Sequence, residues 1–198
     1  MKSSVRIVII IVAIIELTAI GIYFYSSHSK RITSTLPILG TLPAFTLTNE
    51  DSVNFTNQNL LGKVTIADFI FTSCGGPCPL MSNKMSSLQT QFSDVSNIHF
   101  LSFSVDPEYD TPSILKKYGL KFGAKPDRWT FLTGDKHGIY NLARYGFFLT
   151  VEDEENAILH STKFILIDTK GSVRGYYDYD DSTAVPKLID DARSLATE

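Results

Sequence analysis

The residues best equipped for chemistry are Cys74 and Cys78, the two cysteines of the chain, in Phe71-Thr72-Ser73-Cys74-Gly75-Gly76-Pro77-Cys78-Pro79. Each has the other as its partner. Thiolates bind soft metals and attack disulfides, so the pair is open to metal binding, to thiol–disulfide exchange or to a permanent disulfide. A loop this short gains little from cross-linking, which disfavours the third. Gly75 and Gly76 let the backbone turn tightly, and Pro77 and Pro79 suit the first turn of a helix, where an amide hydrogen is dispensable. The thiols are therefore expected to face each other at a helix N-terminus, whose partial positive charge favours thiolate over thiol. A C-x-x-x-C spacing alone does not separate redox from metal chemistry; a third ligand would.

Four histidines are available, His28, His99, His137 and His160. His28 lies in a polar stretch, while His99 starts a buried strand and His137 opens a helix, positions where a lone histidine is usually a surface or satisfied core group. His160, just ahead of the apolar run Phe164–Ile167, has the most obvious site. Met81 and Met85 carry soft thioethers, yet their helical spacing is what core packing demands. Asp68, Asp106 and Asp110 read as serving turns, caps or local hydrogen bonds, and the last two lie in a loop that could also face a partner. The acidic run Glu152–Glu155 reads as a solvated turn, or as a docking surface for a basic partner.

The elements that must position these groups follow from periodicity. Val64–Phe71 is too apolar to have a solvated face and predicts a central strand. Met81, Met85, Leu88 and Phe92 recur at steps of four, three and four, as on one face of a helix that begins at the cysteines. His99–Val105 predicts a second buried strand, and Asp110-Thr111-Pro112 an N-cap and first-turn proline for a helix through Tyr118. Thr130–Leu132 reads as a short extended piece, followed by a helix from about Asp135 to Tyr145. Phe164–Ile167 and Val173–Tyr177 are strands around the Asp168–Gly171 turn, and Val185–Leu195 is a closing helix. Phe45–Phe55 predicts a hairpin turning at Asn49–Ser52. Alternating strands and helices, then a hairpin and a helix, make an α/β fold with a mixed sheet.

Ahead of this domain, Ile7 to Tyr25 is nearly all apolar, and its nineteen residues at ~1.5 Å each give roughly 28 Å, enough to cross a bilayer core. No small-residue cleavage site stands out after it, so it predicts a retained signal anchor. The resulting organisation is a cytoplasmic N-terminus at 1–6, a transmembrane anchor at 7–25, a polar tether at 26–35 and one domain at 36–198. Glu16 lies near the middle of the span, as a protonated acid or as a contact for a partner's helix. The chain carries a net charge of -3, but residues 32–198 hold 14 basic and 20 acidic side chains. That excludes nucleic acid as a natural partner, since phosphate binding needs a basic face.

Four segments, FIFTSCGGPCP, SVDPEYDTPSILKKYG, WTFLTGDKHGIYNLARYG and HSTKFILIDTKG, agree in order and spacing with the Sco/SenC family, which the chain resembles over nearly all of residues 36–195. The resemblance implies a thioredoxin-like domain, its mixed central sheet flanked by helices. It further implies that Cys74, Cys78 and His160 bind one copper, as Cu(I) or Cu(II). Two thiolates and an imidazole form a soft three-coordinate site suited to Cu(I), with a further position that Cu(II) could use. Where thioredoxin-like folds normally present a cis-proline to the cysteines, this chain reads Leu159-His160-Ser161-Thr162. It departs from the family in having Gly75 and Gly76, where proline usually follows the first cysteine. The implied role is assembly of the dinuclear copper centre of a respiratory terminal oxidase, with that copper-centre subunit as partner. A periplasmic copper donor and a thiol reductant are further implied partners. The implied location is a bacterial inner membrane, with the domain on the periplasmic side. The rival reading is an extracytoplasmic thiol–disulfide oxidoreductase that reduces the oxidase cysteines before metallation. A peroxidase fits poorly, because no proline precedes Cys74 at the position such enzymes use.

Overall fold

The computed structural model describes Ile11, Ile14, residues 16–18, Ile20, residues 36–150 and residues 161–198. The chain divides into two units, Met1–Ile32 and Thr33–Glu198. In the first, the described residues are helical and exposed. Most of the expected span at 7–25 lies outside the described residues, and among the described ones no helix is long and apolar enough to cross a membrane.

The second unit is built on a mixed sheet of eight described strands. They are β1 (Gly40–Thr41), β2 (Thr46–Asn49), β3 (Asn54–Thr56), β4 (Val64–Ile70), β5 (Ile98–Ser104), β6 (Trp129–Thr133), β7 (Lys163–Ile167) and β8 (Ser172–Asp178), ordered β1-β8-β7-β4-β5-β6-β2-β3. β4, β5 and β6 run parallel. The crossovers between them carry α1 (Pro77–Gln91) and α2 (Pro112–Lys121), as parallel neighbours require. β7 and β8 form an antiparallel hairpin against β4, and β2 and β3 form the expected hairpin beside β6. Every residue of β4 is buried, as its composition predicts for a strand covered on both faces.

Alternation along β4 sorts the two cores. Val64, Ile66 and Ile70 pack with Met81, Met85 and Leu88 of α1, with Leu115 and Tyr118 of α2, and with Leu188, Ala192 and Leu195 of α4 (Ala184–Ala196). Ala67 and Phe69 face the other way, into Leu101, Phe103 and Phe147 and into Ile139 of α3 (Lys136–Asn141). The methionines are thus core residues, both wholly buried.

The structure refines three expectations. The helix anticipated over Asp135–Tyr145 is α3 capped by Asp135, which passes at Leu142–Gly146 into a wider π turn. Asp110-Thr111-Pro112 starts α2 as anticipated, with Pro112 in its first position. The cap position is Thr111, without a side-chain cap bond, and Asp110 reaches back to the cysteine loop. Of the turn, cap or local hydrogen bond expected of Asp68, the first two do not apply: it is wholly buried in mid-strand, beside the Ser102 hydroxyl.

Candidate metal and thiol centre

β4 ends at Ile70, and the loop carrying Cys74 follows at the C-terminal edge of the parallel strands. The Cys74 amide donates to the Phe71 carbonyl at 3.2 Å, closing a turn that points the side chain back toward α1. α1 begins one residue after Gly76, with Pro77 in its first position, so Cys78 lies in the first turn as anticipated. Gly76 takes the cap position of α1 without a side chain to cap it. A Cβ at Gly75 would meet open space. Both cysteines are buried, side by side and without a disulfide between them.

The two thiols are not equivalent. Burial pushes Cys74 up, but the Cys78 amide, the Cys78 thiol and the Gly76 amide all favour its thiolate, and the balance falls below the ordinary thiol range. The Gly76 amide lies 3.4 Å from Cys74 Sγ. Cys78 moves the opposite way. Burial pushes its thiol well up, the proton it shares toward Cys74 and the charge of Asp68 add to this, and the Phe71 amide only partly opposes it. The helix N-terminus therefore serves Cys74 first, and Cys78 becomes a thiolate when a metal or an electrophile takes its proton's place.

Beneath the pair, Asp68 shares its level in the sheet with Ser102 of β5. Burial pushes its carboxyl up to about 7, with the Ser102 hydroxyl opposing weakly. Among the described residues neither of its oxygens has a well-formed hydrogen bond, and Ser102 Oγ already accepts from Trp129 Nε1 at 2.9 Å. Tyr118, whose hydroxyl meets Ser82 Oγ at 2.9 Å, lines the same side.

Of the three residues singled out as ligands, the described structure brings Cys74 and Cys78 together. His160 lies outside the described residues, as do His28 and the acidic run Glu152–Glu155. The start of β7 is described. Its antiparallel pairing sets Ile165 opposite Ala67, so the chain entering β7 through Ser161 and Thr162 starts at the sheet edge from which the cysteine loop leaves. Among the described residues no third His, Asp or Glu joins the cysteines in a group able to hold a metal. His99 lies at the beginning of β5, the far end of the parallel strands. Burial and the nearby Lys63 and Arg128 charges push it down to about 4. His137 is exposed on α3. Both are surface or core groups, as their isolation suggested.

The SCO1/SenC family profile matches residues 39–196, almost the whole second unit. The chain belongs to the SCO1/SenC family. Among SCO1/SenC relatives, the SCO1 protein homolog of Bacillus subtilis (strain 168) is 35% identical over 157 residues, covering 77% of this chain and 81% of its own. The solved structure of BsSco, described as having a disulfide switch and as a member of the Sco family of cytochrome c oxidase assembly proteins, superposes with a TM-score of 0.71 at 33% identity. It covers 82% of this chain and 98% of its own. Yeast Sco1 with copper bound superposes with a TM-score of 0.64 at 27% identity, over 80% of this chain and 90% of its own. The thioredoxin-like architecture anticipated from the motifs is the one these structures share.

Proposed function

We propose that this chain is a membrane-anchored copper carrier. It holds one copper ion between Cys74, Cys78 and His160 and delivers it to the copper-centre subunit of a respiratory terminal oxidase. The observation that carries the reading is the cysteine pair itself: two neighbouring sulfurs at a helix N-terminus, with donors converging on Cys74. Such a pair is preorganised for a soft cation. The bound copper of yeast Sco1 and the oxidase-assembly role of BsSco's family support the cargo and the destination. His160 is taken as the third ligand from the family motif, and the start of β7, described at the sheet edge from which the cysteine loop leaves, supports that choice. With two thiolates and one imidazole the Cu(I) site keeps an open position, through which an acceptor's thiolate can bind before a resident one leaves.

In this reading residues 1–6 are cytoplasmic, Ile7–Tyr25 anchors the chain in a bacterial inner membrane, residues 26–35 form a tether, and the domain works in the periplasm. There it receives copper from a periplasmic donor. The test is anaerobic Cu(I) titration of reduced residues 32–198 against a competing chelator. One tight copper per domain is expected, lost in Cys74→Ser and Cys78→Ser and markedly weakened in His160→Ala. Equal weak binding by all four proteins would sink the carrier reading.

The asymmetry of the thiols favours a second reading, a thiol–disulfide oxidoreductase that reduces the oxidase cysteines. Cys74 thiolate would attack a target disulfide, and Cys78 would then displace the target, leaving a Cys74–Cys78 disulfide and two target thiols. A thiol reductant is the partner that resets it. His160→Ala separates the two readings: it should leave the rate of thiol exchange unchanged while copper binding falls.

A further inference from the structure

The cysteine loop and the loop after β5 meet at one carboxylate. Asp110 is wholly buried, and both its oxygens are engaged. Oδ1 accepts from the Thr72 hydroxyl, while Oδ2 accepts from the Thr72 amide at 3.0 Å and from the Ser104 hydroxyl at 2.6 Å. The carboxylate is itself held in place. The Asp110 amide donates to the Asp106 carbonyl at 2.8 Å, and Ser104 Oγ accepts from the Asp106 amide at 3.1 Å.

The placement of these bonds matters. The turn closed between Phe71 and Cys74 leaves the amide of its second residue, Thr72, without a partner inside the turn, and an unpaired amide in a half-buried loop is costly. Asp110 satisfies that amide and the neighbouring hydroxyl together, with charge-assisted bonds. It lies one residue ahead of Thr111, the cap position of α2, whose side chain makes no cap bond. The carboxylate next to the helix start is thus directed 38 residues back along the chain to the cysteine loop.

We infer that Asp110 is a positioning residue for the cysteine pair. It touches neither sulfur. By clamping Thr72 it sets where Cys74 Sγ stands relative to the Gly76 and Cys78 amides and the Cys78 thiol, and so governs how tightly the pair holds a soft metal and how readily it is oxidised. The metal half of this inference rests on the copper reading; the redox half rests only on the two thiols.

The test uses Thr72→Val, which removes the hydroxyl bond alone, Asp110→Asn, and the double variant, each first shown to be folded by urea denaturation. In one arm the reduced proteins are equilibrated anaerobically with a glutathione buffer and the thiols trapped by alkylation. Joining the two sulfurs passes two electrons and two protons to glutathione disulfide, which leaves as two reduced glutathiones, so the fraction oxidised gives an equilibrium constant. In the other arm Cu(I) affinity is read by chelator competition. The expected result is a change of about threefold or more in the redox constant, the scale of one lost hydrogen bond, and about tenfold weaker Cu(I) binding. Asp110→Asn should exceed Thr72→Val, and the double variant should add little to Asp110→Asn because both act through one contact. Folded variants with parental values in both arms overturn the inference. A parent that binds no Cu(I) defeats the copper reading while the redox arm still decides this one, and if Asp110→Asn does not fold, Thr72→Val decides it.

Discussion

At the scale of single residues, Asp68 places a carboxyl in the core, where its charged form is penalised. In the unfolded chain its carboxyl titrates near 3.8, and in the fold burial moves it to about 7. Between those values the folded state keeps a proton that the unfolded state has released, so raising the pH favours unfolding. The penalty is absent below about pH 4, grows through the window and is complete above about pH 7. Asp68→Asn removes it, and other titrations cancel in the comparison. Urea unfolding of the reduced, metal-free domain should show the variant gaining on the parent between pH 4 and 7, by a few kcal/mol at most, since one pKa unit corresponds to about 1.4 kcal/mol. A difference independent of pH across that window would contradict the assignment. The sequence showed Cys74 and Cys78 plainly, because two thiols at helix-start spacing have few alternative uses. It did not show their inequivalence, which arises from amides and a carboxylate that only the folded backbone brings to them. Nor did it show the use of Asp110: Asp-Thr-Pro is a sound local helix-start signal, and the competing partner, Thr72, is remote in sequence.

At the scale of elements, α1 ties the cysteines to the core. Met81 and Met85 are wholly buried in the core cluster formed with Val64, Ile66 and Ile70 of β4 and Ile98 and Phe100 of β5, at the spacing core packing demands. Met85→Ala should therefore cost about 2–5 kcal/mol of stability, as other large-to-small core changes do, with Cu(I) stoichiometry unchanged in the folded protein. Loss of copper at unchanged stability would contradict the core role. β4, β5, β7, β8, α1 and α4 were legible because each presents a long apolar run or a clear helical stripe. Three features were not. β1 is only two residues long, paired with Val173 and Ser172, too short to carry a period. The 3-10 turn Asn57–Leu60 is held by a reciprocal cap between Thr56 and Asn59, a polar signal easily passed over between two apolar segments. The π turn after α3 widens the helix without changing which residues are apolar, so periodicity cannot reveal it.

At the scale of the whole molecule, the second unit must hold its own N-terminal end firmly if a tether is to lift it from a membrane. Arg174 on β8 does this. Its guanidinium donates to the carbonyls of Leu36 at 2.6 Å and Pro37 at 3.2 Å, and pairs with Asp168 at 2.9 Å in a site where both side chains are largely buried. Arg174→Met would leave Asp168 buried without its cation and release the segment before β1, at a cost of about 3–5 kcal/mol. Urea unfolding should detect this as a lowered midpoint, accompanied by faster protease cleavage near residues 36–42. An unchanged midpoint would show that the pair is dispensable. In the proposed reading, the domain, the tether and the apolar span would together make a carrier that stays at the membrane while its thiol edge meets donor and acceptor in turn. Its central claim is the ligand set, and the most direct measurement is X-ray absorption at the copper edge of Cu(I)-loaded residues 32–198 beside His160→Ala. Two sulfur scatterers and one nitrogen, with the nitrogen lost in the variant, is the result the account predicts. A parent spectrum with two sulfurs and no nitrogen, identical in the variant, would contradict it.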